Sequence, residues 1–207
     1  MRLIFVRHGE TLWNRQLKIQ GKSDVPLSEK GVRQAQLLAA SFAKGPDYLF
    51  VSPLQRTHDF ALPLGRRFNL QPIVEEKLRE MDFGSWEGLS YAQMPPALQE
   101  QYAAWCEDPV RINPPGGETF SELAARVEAF LAQVQSKLAE KDWAVAVTHG
   151  GVIRTAVALA MQMPLKMAAR LRIDAASKTI LEAYNGNWYL VKLNDTEHLQ
   201  QSEGKGV

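Results

Sequence analysis

Leu3-Ile4-Phe5-Val6-Arg7-His8-Gly9-Glu10 decides how the rest of the chain is read. Its first four residues are apolar, rich in branched side chains and unbroken by polar groups, so they read as a buried strand rather than a helix. A strand of that kind delivers its carboxyl end to the crevice where open α/β sheets bind ligands. Here it delivers a guanidinium, an imidazole and then a glycine. Arginine offers a planar fork of donors suited to phosphate oxygens. Histidine can serve as nucleophile or general base, and glycine lets an oxyanion approach the backbone.

Outward from that strand, Gln20 to Leu27 has turn-forming composition and reads as a loop. Ser28 is a suitable N-cap for a helix through about Lys44, with Val32, Ala35, Leu38, Ala39 and Phe42 on one face and Gly45-Pro46 as its stop. Tyr48 to Val51 is a second buried strand that ends at Ser52-Pro53, and the helix behind it carries Arg56 in its first turn. A turn near Asn69 leads into a third short strand at Pro72 to Val74. This β-α-β-α-β order predicts a parallel sheet with right-handed crossovers.

From Leu78 to Gly117 glycines and prolines break the rhythm, with room for one or two short helices between Tyr91 and Trp105. This stretch reads as an insertion lying over the sheet's active edge. Thr119-Phe120-Ser121-Glu122 is a capping-box pattern. It opens a helix to about Glu140, with Phe120, Leu123, Val127, Phe130, Leu131, Val134 and Leu138 toward the core. Trp143 to Thr148 is the fourth strand, and His149-Gly150-Gly151 leads into a helix ending near Met163-Pro164. Thr179 to Tyr184 and Trp188 to Leu193 form a terminal hairpin about Asn185-Gly186-Asn187. The tail from Asp195 is polar and expected to be mobile. The expected class is α/β: a three-layer sandwich with a mostly parallel central sheet, helices on both faces, and a helical insertion over the active edge. One domain is expected over residues 1–194, with the insertion at about 78–117 and a polar tail at 195–207.

Composition narrows the function classes. The chain has 207 residues, 45% hydrophobic and 23% charged, enough for a core of ordinary globular type. Its net charge of +1 gives no reason to expect nucleic acid or an acidic membrane as partner. Any anion must therefore be held by a few converging arginines. The single cysteine, Cys106, excludes an internal disulfide framework and suits a reducing compartment. Met1-Arg2 runs straight into an apolar run too short for a signal peptide, and no stretch approaches the roughly 20 apolar residues that span a bilayer. The expected setting is cytoplasmic, as a monomer or homodimer, with no metal.

Two strands end in similar chemistry, Arg7-His8-Gly9 after the first and His149-Gly150-Gly151 after the fourth, and Ser52 to Thr57 follows the second. Carboxyl ends of parallel strands share one edge, so these groups can converge, and helix N-termini there add donors for an anion. Singly, a histidine after a strand is more often a hydrogen-bonded turn residue, and an arginine in a first helical turn is more often solvated. Three such elements in one chain reverse that reading.

The full stretch from Leu3 to Asn14 is similar to the signature of the histidine phosphatase superfamily, the phosphoglycerate mutase-like enzymes. The resemblance runs along most of the chain and implies a small phosphorylated substrate, no cofactor, and roles for particular residues. It implies that His8 is the nucleophile that becomes a phosphohistidine, that Arg7, Arg56 and His149 hold the phosphoryl oxygens, and that Asn14 is a further phosphate contact. Gly9, Gln20 and Gly150 are expected beside Asn14 as substrate-binding positions. Leu78 to Gly88 matches the segment whose glutamate, here Glu80, is general acid and base, with Asp82 and Glu87 structural or peripheral. Within the superfamily, Leu78 to Gly88, Ala104-Trp105-Cys106 and Leu171-Arg172-Ile173-Asp174 resemble the α-ribazole-5′-phosphate phosphatases of cobalamin synthesis. Met81, Trp86, Met94, Tyr102 and Trp105 would either line an apolar substrate pocket or pack on one another.

Other hydrolytic chemistries lack their residues. One residue too few separates Cys106 from Arg111 for a cysteine phosphatase loop, no Gly-x-Ser-x-Gly elbow exists for a serine hydrolase, and no Gly-x-x-x-x-Gly-Lys loop exists for nucleotide triphosphates. The sequence has no His-x-His, Asp-x-Asp or His-Glu-x-x-His for a metallophosphatase. A broad-specificity phosphatase, a phosphoglycerate mutase and a non-catalytic phosphate-binding relative remain as alternatives.

Overall fold

Strand β1 (Arg2–Arg7) lies inside the sheet, parallel to β4 (Trp143–Thr148) on one side and antiparallel to β5 (Lys178–Tyr184) on the other. The structure, a computed structural model, describes residues 1–202. Beyond β4 come β2 (Tyr48–Val51) and β3 (Ile73–Val74), both parallel; beyond β5 the antiparallel β6 (Asn187–Asp195) completes the order β3-β2-β4-β1-β5-β6. The fold is α/β with a mostly parallel sheet, as the sequence predicts.

Alternation along the strands decides which helices cover which face. Leu3 and Phe5 of β1, with Ala144 and Ala146 of β4, pack under α5 (Phe120–Lys137) and α6 (Gly150–Ala160). Ile4, Val6, Val145 and Val147 pack under α2 (Glu29–Ser41) and α3 (Gln55–Phe68). Phe130 anchors the first layer, edge-on to Phe5 at 6.1 Å and to Phe50 at 5.6 Å. Truncating so buried a ring to alanine costs about 3–5 kcal/mol. The expected caps form: Ser28 Oγ accepts the Gly31 N–H at 3.1 Å, and Thr119 and Glu122 make a reciprocal box.

The structure moves several expected details. α2 stops at Ser41 because Phe42 turns extended, and α5 stops at Lys137. Val32 is 48% exposed; the face toward the core instead buries Gln34, whose Oε1 accepts the Glu10 N–H at 2.9 Å. A satisfied polar group is as buriable as a methyl, and periodicity of apolar residues does not reveal it. The polar tail is also not free from Asp195 onward. Asp195 is buried and pairs with Lys178 at 3.4 Å and Lys192 at 3.3 Å, and His198 is 4% exposed. Residues 203–207, the rest of that tail, lie outside the described residues.

The insertion holds two single-turn helices, Gly84–Trp86 and Tyr91–Gln93, and α4 (Pro96–Glu107). Trp86 is fully buried at its centre, with ring centroids of Tyr102 and Trp105 at 5.4 and 5.9 Å. Among the described residues no helix is long and apolar enough to cross a membrane.

Candidate active site

In-register pairing sets Arg7 of β1 beside Thr148 of β4, so the next residues, His8 and His149, leave the sheet together. Their rings meet edge-on with centroids 5.2 Å apart. The His8 backbone is fixed on both sides: its N–H donates to Thr148 O at 2.9 Å, and its carbonyl accepts from the Ala176 N–H at 3.1 Å. Nδ1 of His8 lies 2.7 Å from the Gly9 carbonyl. A carbonyl can only accept, so Nδ1 carries the proton and Nε2 keeps its lone pair. Burial first, then the charges of Arg56 and Arg7, push His8 well below the usual histidine range. The ring is therefore neutral at pH 7 and able to attack.

His149 is N-cap of α6 and fully buried, with Nε2 2.8 Å from Ser52 Oγ. Burial, then Arg56, keeps it neutral as well. Arg7 Nη1 donates to Ile173 O at 2.7 Å. Arg7 Nε and His149 Nδ1 are buried without a partner among the described residues. Both belong to residues at the carboxyl ends of neighbouring strands, β1 and β4.

Arg56 enters from the first turn of α3, where the Asp24 carboxylate accepts the Gln55 N–H at 2.9 Å and so caps the helix. Its guanidinium is wholly buried and donates from Nη2 to Gly21 O at 2.7 Å and from Nη1 to Ser23 O at 2.8 Å. The Gln20 amide belongs with its nitrogen toward Thr11 Oγ1 (2.6 Å) and its oxygen accepting from Arg56 Nε (3.1 Å). The opposite orientation would aim an amide N–H₂ at a guanidinium. Burial draws Arg56 down to about 10, which leaves it charged at pH 7.

Glu80 faces this group from the insertion. Its Oε1 accepts the Met81 N–H at 3.1 Å, and Oε2 accepts the Gly151 N–H at 3.3 Å, over the N-terminus of α6. A Cβ on Gly151 would lie 2.5 Å from Glu80 Oε1, so the second glycine after His149 is what lets the carboxylate approach. That role is not visible in His149-Gly150-Gly151 as a sequence, since it depends on a residue 71 positions away.

A cavity of about 550 Å³ opens between the insertion and the sheet edge. Arg7, Asn14, Gln20, Glu80, Gly150 and Arg154 form its polar side; Met81, Phe83, Tyr102, Trp105 and Phe120 form much of its apolar side. Of the five apolar residues, Met81, Tyr102 and Trp105 line the cavity, while Trp86 and Met94 are buried away from it, so for these two the packing alternative holds. Asn14 sits on a four-residue helix, α1 (Leu12–Arg15), and its Oδ1 accepts the Thr11 N–H at 3.1 Å. Gly9 packs against Phe60 and Gly31 and gives its carbonyl to His8.

Two residues escaped the sequence reading. Ser52 orients His149, which only the convergence of β2 and β4 reveals. Arg154 donates from Nε to Leu171 O at 2.8 Å and, among the described residues, pairs with no carboxylate. It lies four residues past Gly150, one helical turn, and that spacing could have placed it on the cavity side. Among the described residues, no three His, Cys, Asp or Glu side chains gather where a metal ion could sit.

A neutral imidazole, buried guanidinia and an opposed carboxyl group suit transfer of a phosphoryl group, whose charge spreads over three equatorial oxygens. Comparison with known proteins agrees. Phosphoserine phosphatase 1 of Hydrogenobacter thermophilus is 32% identical over 203 residues, covering 96% of this chain and 94% of that protein. The structure of a mycobacterial glucosyl-3-phosphoglycerate phosphatase superposes with a TM-score of 0.87 at 33% identity, covering 94% and 99% of the two chains. That of a putative α-ribazole-5′-P phosphatase from Escherichia coli gives 0.86 at 29% identity, covering 94% and 96%. The model of the histidine phosphatase superfamily (branch 1) matches residues 3–196, and with relatives of this kind over nearly its whole length the chain belongs to that superfamily as a phosphatase.

Proposed function

We propose that the protein hydrolyses a small phosphomonoester through a phosphohistidine on His8, with Glu80 as general acid and then general base. The observation that carries this reading is the neutral His8 ring, its Nδ1 bonded to the Gly9 carbonyl and the Arg56 and Arg7 charges acting on it. In the first step His8 Nε2 bonds to phosphorus while the bond to the ester oxygen breaks, and Glu80 gives that oxygen a proton so that it leaves as an alcohol. Arg7, Arg56 and His149 hold the phosphoryl oxygens. In the second step Glu80, now a carboxylate, takes a proton from water as the water attacks phosphorus, releasing phosphate and restoring the imidazole. Water, in preference to the second hydroxyl of the mutase alternative, is the acceptor in this reading, as the phosphatase names of the relatives suggest.

Within this reading the leaving group rests a flat apolar face on Tyr102 and Trp105, which favours α-ribazole-5′-phosphate and agrees with the likeness to the E. coli protein. Arg154 favours a second possibility, an ester whose leaving group carries a carboxylate, as the names of the other relatives suggest. The decisive experiment on the chemistry is rapid quench with labelled substrate. Wild type should yield an acid-labile, base-stable phosphoryl adduct, and His8→Ala should yield none, with turnover abolished and the fold intact. Normal turnover by His8→Ala would end the proposal.

A further inference from the structure

The Glu87 carboxylate joins two separate segments. Oε1 accepts the Lys22 N–H at 2.9 Å and the Phe83 N–H at 3.1 Å; Oε2 accepts the Ser23 N–H at 2.9 Å and also the Ser23 hydroxyl. Four donors on one side chain suit an ionised carboxylate, which has about four lone-pair sites and no proton to place. The loop so gathered is the one whose carbonyls hold Arg56, Gly21 O at 2.7 Å from Nη2 and Ser23 O at 2.8 Å from Nη1. The Lys22 N–H and the Gly21 carbonyl are opposite ends of one planar peptide group, so fixing the first fixes the second. Gly21 is pressed into this arrangement: a Cβ there would collide with Glu87 Oε1 and lie 2.6 Å from Met81 O. Main-chain bonds run alongside, Gly88 N–H to Ile19 O at 3.0 Å and Ile19 N–H to Leu89 O at 2.9 Å.

We infer that Glu87 is a positioning residue: by orienting the peptide groups of Gly21 to Ser23 it sets the plane and reach of the Arg56 guanidinium, and it ties that guanidinium to the segment that carries Glu80. The inference rests on the reading of Arg56 as a phosphoryl ligand. Glu87 forms no ion pair with Arg56 among the described residues, so the coupling runs through the loop. Its negative charge also works against the burial that lowers the Arg56 pKa. The simpler role would be to fasten the insertion to the loop for stability alone. In that case loss of Glu87 would weaken the protein without regard to Arg56.

A double-mutant cycle separates the two, using p-nitrophenyl phosphate as substrate and inorganic phosphate as competitive inhibitor. Glu87→Gln keeps the side chain's size but turns an N–H₂ toward backbone donors. It should lower kcat/KM by about 10- to 100-fold, the range for partners that orient ligands in metal sites, and raise the Ki of phosphate to a similar extent. In an Arg56→Ala background it should change kcat/KM by less than about twofold, since groups acting through one another are not additive. Equal losses in both backgrounds, with Arg56→Ala itself crippled, would overturn the inference and leave the site reading standing. Wild-type turnover by Arg56→Ala would sink both. Should Glu87→Gln not fold, Ser23→Ala removes one donor to the carboxylate and keeps the main chain. A raised phosphate Ki that disappears with Arg56→Ala supports the inference, and an unchanged Ki overturns it.

Discussion

The Gly151 N–H reaches Glu80 Oε2 at 3.3 Å across 71 positions of sequence, and this bond joins the insertion to the helix that follows His149. It brings the insertion's carboxylate to the end of the sheet where both imidazoles emerge, with a helix N-terminus beneath it. In the proposed reaction this one side chain gives a proton to the leaving oxygen and then takes one from the attacking water.

Glu80→Gln tests that division of labour. Without a proton donor, alkyl phosphates should suffer most. A p-nitrophenyl ester, whose phenolate leaves almost unaided, should be phosphorylated onto His8 with a smaller loss. Phosphohistidine should then accumulate, because the amide cannot accept the proton of the attacking water. Equal loss on both esters with no accumulation would move the general acid elsewhere.

Arg56→Ala should lower turnover by at least about 10²–10³, the cost of one preorganised donor at other enzymes. Because the proposed phosphoryl site is built from guanidinium and imidazole groups, exhaustive chelation should leave wild-type activity in place. Loss of activity on EDTA, restored by a divalent ion, would refute this electrostatic assignment.

The sheet was legible because β1, β2 and β4 are short apolar runs ending in polar residues, and the capping patterns at Ser28 and Thr119 marked the starts of two helices to the residue. Arg7, His8, Arg56 and His149 could be placed from strand ends alone, since a parallel sheet brings its carboxyl ends to one edge. Glu80 needed the family resemblance, because nothing local distinguishes it from a solvated loop acid. What stayed hidden depends on contacts distant in sequence. Ser52 against His149, Gly151 beneath Glu80 and Asp195 against Lys178 are each set by tertiary packing. Val32 lies at the exposed edge of the face that buries Gly31, Gln34, Ala35, Leu38 and Ala39, a boundary that apolar spacing alone does not mark.

Acid should destabilise the protein through its buried histidines. His8 and His149 are held well below the usual range, chiefly by burial, and His198 is brought from 6.5 to about 4 by burial and then by Lys178. In the unfolded chain each titrates near 6.5, so below that pH the unfolded state binds protons that the folded state refuses. Stability present above pH 6.5 is then lost as pH falls, by about 1.4 kcal/mol per pH unit for each such histidine, and for His198 the loss continues to about pH 4. Denaturant midpoints at pH 7, 6 and 5 should fall progressively, and His198→Leu should flatten the fall. An unaltered slope in that variant would assign the acid sensitivity to other groups.

The substrate is the boldest expectation, and the two sides of the cavity make it testable. Tyr102 and Trp105 line the cavity with aromatic rings, and Arg154 lines it with a guanidinium that, among the described residues, pairs with no carboxylate. Stacking of a base on an aromatic side chain is worth about 1–3 kcal/mol by alanine substitution. If a ribazole moiety rests on these rings, α-ribazole-5′-phosphate should exceed 3-phosphoglycerate in kcat/KM, mainly through KM. Tyr102→Ala should then raise that KM by roughly 5- to 150-fold, while Arg154→Ala should matter little for a substrate whose leaving group carries no carboxylate. The opposite pattern, a preference for phosphoserine or another carboxylated ester that Arg154→Ala removes, would retire the cobalamin reading and keep the phosphohistidine chemistry. Interconversion of 2- and 3-phosphoglycerate faster than phosphate release would instead show that a second hydroxyl competes with water for the phosphoryl group on His8.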